Sequence, residues 1–173
     1  MKEFRLVLDD IRTIDSSIET VDPQTPHITI YYLNKQSQYV LEEINENIKP
    51  FNDILNKVAL TIGGFDYFTK DNPKVLFLEI KYPKALINYR NKISRFLEKY
   101  SASDNNLPFH PHMTVGRIKS IQGQQSFNKN RNEILAILEK IHWEFKISEI
   151  ILYGADSTKS PEHQEKLLTI PIK

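Results

Sequence analysis

Two short stretches hold most of the ionisable chemistry in this chain. Residues 109–118 read FHPHMTVGRI and residues 26–30 read PHITI, so PHMTV at 111–115 repeats the pattern Pro-His-apolar-Thr-apolar. Alternate residues of an extended chain share a face. His27 and Thr29 therefore point one way while Ile28 and Ile30 point the other, and His112 and Thr114 stand in the same relation to Met113 and Val115. Each stretch presents an imidazole beside a hydroxyl. One histidine on a strand is more often packed or solvated than catalytic, but two copies in matching places of a repeated pattern point to chemistry. An imidazole with a pKa near ~6.5 can accept or donate a proton at neutral pH. Phosphodiester cleavage by proton transfer needs both acts, one at the attacking oxygen and one at the leaving oxygen. Threonine hydroxyls can donate hydrogen bonds to the non-bridging oxygens, where charge develops. Such a site requires no metal.

The remaining histidines read differently. His110 and His112 form His-Pro-His, a spacing found in some metal sites, but no carboxylate or histidine cluster adjoins it in sequence. His110 is expected in a loop at the rim of the site, His142 in a structural role beside Trp143, and His163 in an exposed loop. Tyr31 falls on the His27 face by alternation, where it can line the cleft, stack a base or simply pack.

Short strands are expected at residues 4–8, 27–33, 58–65, 75–81, 143–153 and 166–170. Helical periodicity places Val40, Leu41, Ile44 and Ile48 on one face of a helix over 36–48, which Pro50 ends. Pro83 suits a first helical position, followed by Leu86, Ile93, Leu97 and Tyr100. A third helix fits 130–141 through Ile134, Leu135, Leu138 and Ile141, and the polar SASDNN at 101–106 reads as a loop. A strand opening Pro-His, then a helix, then two strands thus occurs twice. Strands adjoining in sequence after each helix favour antiparallel pairing and an α+β fold, its two halves forming lobes of one domain over 1–173.

Composition sets limits. The 173 residues are 40% apolar and 26% charged, and 23 basic against 22 acidic side chains leave a formal charge of +1. A protein that coats long nucleic acid usually carries a clear basic excess; a site for one phosphate or one RNA end needs none. The absence of cysteine excludes disulfides, thiolate metal sites and cysteine nucleophiles. The charged start MKEFRLVLDD lacks a signal core, and no apolar run approaches the ~20 residues that span a bilayer. The cytoplasm is the expected location, with no membrane association.

HITI at 27–30 and HMTVGR at 112–117 resemble the paired His-x-Thr-x signatures of the 2H phosphoesterase superfamily, which includes RNA 2',3'-cyclic phosphodiesterases and the so-called 2'-5' RNA ligases. The resemblance extends to the aromatic-leucine pair Tyr32-Leu33 and the closing LLTIPI. It implies two pseudo-symmetric lobes of antiparallel sheet and helices with an active-site cleft between them. His27, Thr29, His112 and Thr114 would meet there around one phosphate, with His112 as base and His27 as acid. Arg117 matches the basic residue that follows the second motif and helps hold phosphate in the RNA branch. Simple alternation puts Arg117 opposite the His112 face, so that role requires a twist or strand end after Gly116. The expected function is hydrolysis of 2',3'-cyclic phosphate ends of RNA or nucleotides to 2'-phosphates, without cofactor, by a monomer. Action on 2'-5'-linked oligonucleotides, RNA 3' ends or cyclic nucleotide signals, and nucleotide binding without turnover, stay open as alternatives. The first motif has Tyr32 where a matching basic residue would stand, and residues 156–163 are less like the RNA branch.

Overall fold

In a computed structural model the described residues are 2–33, 36–48, 50–51, 55, 58–69, 71–81, 83–100, 108–155 and 164–172. The expected loop at 101–106 and the segment 156–163, with His163, lie outside them. The chain opens with helix α1, Lys2–Ile14, where a strand was expected at 4–8. A five-residue window fits either period. The continuing spacing of Phe4, Val7, Leu8 and Ile11, all buried, is helical, and Leu6 is left 55% exposed on the far side.

Strands β1 (Glu19–Thr20), β2 (Ala59–Phe68), β3 (Val75–Lys81), β4 (His112–Arg117) and β5 (Glu144–Lys146) form one sheet in the order β1-β4-β3-β2-β5. The pairs β1:β4, β4:β3 and β3:β2 are antiparallel. Strands β6 (Glu149–Ala155) and β7 (Gln164–Pro171) pair antiparallel in a second sheet. The expected strand over 143–153 is thus two strands, broken at Ile147 and Ser148. Helix α2 spans Gln38–Ile48 and α3 spans Lys84–Leu97, with Pro83 at the N-cap rather than inside the first turn. Helix α4, Ile121–Leu138, begins well before the expected position 130. Ser120 starts it by accepting the Gly123 N–H at 3.0 Å. Its first half, IQGQQSFN, buries only Gly123 and Phe127 and so shows little apolar period.

The architecture is α+β, and the chain divides into two compact units: 1–30, 61–81 and 108–144, and then 31–60, 82–107 and 145–173. These units are not the two sequence repeats. The first unit takes its strand pair β2–β3 from the first repeat and α4 from the second; the other unit holds α2 from the first and β6–β7 from the second.

Within the first unit, Tyr67, Leu76, Leu78, Ile80, Met113 and Val115 are buried on one face of the sheet. Helix α4 covers that face, with Phe127 edge-on to Tyr67 at 5.6 Å, and α1 packs against α4. Burying such side chains stabilises the fold by roughly 1.5–3 kcal/mol each. Phe4 meets Trp143 edge-on at 6.2 Å, so Trp143, beside His142, is part of this packing. In the other unit, Leu86, Tyr89, Ile93 and Leu97 form the buried stripe of α3, and Ile44 and Ile48 that of α2. Burial raises the Tyr89 hydroxyl well above the ordinary phenol range.

Candidate active site

The strand expected over 27–33 is reduced to a single antiparallel bridge, Ile28 to Met113. The partner edge explains this. β1 occupies the C-terminal end of β4 through Glu19–Arg117 and Thr20–Gly116, and the Val21 N–H donates to the Val115 carbonyl at 3.1 Å. The chain then loops away. The Asp22 carboxylate accepts the Gln24 N–H at 2.8 Å, and Pro23 and Pro26 have no N–H to donate.

That one bridge sets the geometry. Residues flanking an antiparallel bridge oppose one another, so His27 stands across from Thr114 and Thr29 across from His112. Opposed residues share a face, and Met113 is buried on the other. The two imidazoles are therefore diagonal neighbours, a relation that separates side-chain roots by roughly 7–8 Å. All four residues belong to the first unit.

Both histidines are held alike. Nδ1 of His27 lies 3.0 Å from the Thr25 carbonyl, and Nδ1 of His112 lies 2.7 Å from the His110 carbonyl. A carbonyl oxygen only accepts, so each Nδ1 carries a proton, which leaves Nε2 as the atom of each ring that can exchange protons. In both places the carbonyl is two residues back, across a proline that restricts the residue before it to extended backbone.

Arg117 is explained by a bulge. Phe77 opposes Thr114 but Leu76 opposes Gly116, so Val115 is an extra residue on β4. The alternation flips there. Val75, on the same β3 face as Phe77, opposes Arg117, which returns the guanidinium to the face of His112 and Thr114. A change of alternation was expected after Gly116; the bulge makes it one residue before Gly116, at Val115. A Cβ on Gly116 would meet Ile18 Cγ2 at 2.7 Å and the Glu19 carbonyl at 3.3 Å, so only glycine lets β1 approach the bulge.

Register also brings in residues that the sequence did not single out. Glu79 opposes His112, and its carboxylate lies 3.5 Å from Nε2 of His110. Phe68 and Phe77 wall His112, with ring centroids at 4.9 Å and 5.1 Å, the first perpendicular at 86°. His110 packs edge-on to both rings. Only the β3:β4 and β2:β3 registers reveal these neighbours; β-strand pattern alone places them on a face without naming the partner. Tyr31, partly buried, is the first residue of the other unit, past the bridge that fixes a face. Among the described residues no three His, Cys, Asp or Glu side chains group to hold a metal ion.

His112 is half-buried, whereas His27 is exposed. Burial holds the His112 imidazole below the usual histidine range. Positive charge at His110, His27 and Arg117 acts in the same direction, and the hydrogen bond to the His110 carbonyl partly offsets it.

An antiparallel sheet whose open face gathers two imidazoles, two hydroxyls and a guanidinium is a site suited to proton transfer on a phosphate group. Residues 4–159 match the model of the 2'-5' RNA ligase superfamily, and the chain belongs to that family. It is 25% identical over 128 residues to an RNA 2',3'-cyclic phosphodiesterase of Aeropyrum pernix, covering 73% of this chain and 72% of that one. A protein of the same name from Archaeoglobus fulgidus is 26% identical over 105 residues, 60% of this chain and 58% of that one. Among solved structures, TT0787 of Thermus thermophilus superposes with a TM-score of 0.69 at 16% identity, over 99% of this chain and 93% of that one. LigT of E. coli complexed with ATP gives 0.63 at 16% identity, over 99% and 92%. These two likenesses show the fold.

Proposed function

We propose that this chain is a phosphodiesterase that opens 2',3'-cyclic phosphate ends of RNA or nucleotides to 2'-phosphates, without a metal. The observation that carries the reading is the Ile28–Met113 bridge, which sets each imidazole across from the other motif's hydroxyl on one face. The names of the two archaeal relatives supply the substrate class.

Water attacks phosphorus and passes a proton to Nε2 of His112, the imidazole whose environment favours the neutral form. The bond from phosphorus to the 3' oxygen breaks, and His27 gives its Nε2 proton to that oxygen. Solvent exchange then restores both rings. Thr29 and Thr114 donate to the non-bridging oxygens, and Arg117 offsets their growing charge. With a 5'-hydroxyl in place of water the same residues, in the same roles, break the same bond and form a 2'-5' linkage; in the reverse, cleavage of that linkage by the 3'-hydroxyl, the two histidines exchange roles. The family's description favours retaining this second outcome.

The test incubates the protein, with chelator present, with 2',3'-cyclic AMP, cyclic-ended RNA and a 2'-5' oligoadenylate. Conversion of the first two to 2'-phosphate ends with a free 3'-hydroxyl is expected. Replacing either His27 or His112 with alanine should lower kcat by about 10²–10⁴-fold while the fold persists. Activity that requires an added divalent ion, or near-normal turnover in either variant, overturns the reading.

A further inference from the structure

Backbone geometry alone makes His27 and His112 equivalent: each follows a proline, and each gives its Nδ1 proton to the carbonyl two residues back. Two equivalent imidazoles do not divide into an acid and a base. Something outside the motifs must separate them, and at His112 the candidate is a wall of rings.

Phe68 is the last residue of β2 and stands on the site face, opposite Val75. Its ring is perpendicular to that of His112 at 4.9 Å and stacks at 4.3 Å, tilted by 33°, on Phe77. Phe77 is buried on the site face beneath these rings; Phe68 is 37% exposed, and its ring lies against His112. The chain holds Phe68 there at a cost. The next residue, Thr69, has φ of 67°, the left-handed region that a β-branched residue rarely enters. Two hydrogen bonds close the turn around it, Asn72 N–H to the Thr69 carbonyl at 2.9 Å and Lys74 N–H to the Phe68 carbonyl at 3.2 Å. Strained backbone of this kind persists where the surroundings demand a particular placement.

We propose that Phe68 is a positioning residue that dries His112, and that this cover keeps His112 a neutral proton acceptor beside an otherwise matching histidine. Apolar cover disfavours the charged imidazolium. The charged and titratable groups facing His112 are Glu79 from β3, Asp66 from β2 by register, His27 from the bridged segment, His110 before the strand and Arg117 after it. His110 packs on Phe77 as well as on Phe68, and the strand registers that place the other groups do not involve the Phe68 ring. Environments that push two like groups apart also assign their roles. The inference deepens the proposed function and rests on it for the link to turnover, although the state of His112 can be observed without turnover.

The experiment follows the His112 ring by NMR through a pH titration in wild type, Phe68→Ala and Phe68→Leu, alongside kcat/KM for 2',3'-cyclic AMP over the same range. Phe68→Ala is expected to raise the His112 midpoint by roughly half a pH unit or more, and Phe68→Leu, which restores apolar bulk, to return it most of the way. The acid limb of kcat/KM should move with it, while KM at pH 8 stays near wild type. An unchanged His112 midpoint in a folded Phe68→Ala protein overturns the inference. A midpoint that moves while the rate profile stays still upholds the cover and overturns His112 as the base.

Discussion

At the residue scale, His112 and His27 differ in surroundings rather than in type. Because burial lowers the proton affinity of His112 in the folded chain, its unfolded form binds a proton first as pH falls below ~6.5. Between that pH and the lower folded value the unfolded state holds more protons, so stability rises with pH through this window and is level above it. Urea midpoints measured from pH 5 to 8 should show that slope in wild type and lose it in His112→Asn. For the same reason the acid limb of kcat/KM should lie below pH ~6.5. Arg117 lowers the proton affinity of His112 through its positive charge, and in the proposed mechanism it also offsets charge on the phosphate. Its replacement by glutamine should lower kcat/KM by about 10²-fold and move the acid limb upward, measured together in one pH series.

At the element scale, two irregularities place the site: the Val115 bulge in β4 and the left-handed Thr69 after β2. Gly116 permits the first. Gly116→Ala forces β1 away from β4, because the contact at 3.3 Å is to backbone at Glu19 and cannot rotate aside. Overpacking of this kind costs about 1–3 kcal/mol, read as a lower urea midpoint, with activity falling further as Arg117 loses its alignment. Thr69→Gly should act the other way on stability. A left-handed L-residue costs roughly 1–2 kcal/mol and glycine's extra freedom roughly 0.5–1 kcal/mol, so strain relief wins by about 0.5–1 kcal/mol. That corresponds to a melting temperature higher by about 1–4 °C, measured by thermal unfolding.

At the scale of the whole molecule, the two sequence repeats exchange elements, so each compact unit draws on distant parts of the chain. A fragment ending at Tyr100 lacks β4 and α4 and should not form the first unit; its amide spectrum should be poorly dispersed. Adding the remainder as a second chain should recover dispersion if the elements find one another. The shared face of His27 with Thr29 and of His112 with Thr114 was legible from spacing alone, since Pro-His-x-Thr-x alternates the same way in both copies. Strands with clear alternation, such as β3, and helices with a full apolar stripe, such as α3, were legible too. Helix α1 was misread because five residues fit either period, and the start of α4 was missed because its first half buries little. What only the tertiary structure decided is register: the lone bridge that sets His27 across from Thr114, the bulge that turns Arg117 back to that face, and the rings that half-bury His112. Alternation within a strand is local and can be read along the chain. Which strand lies beside it, and in what register, depends on partners far away in sequence.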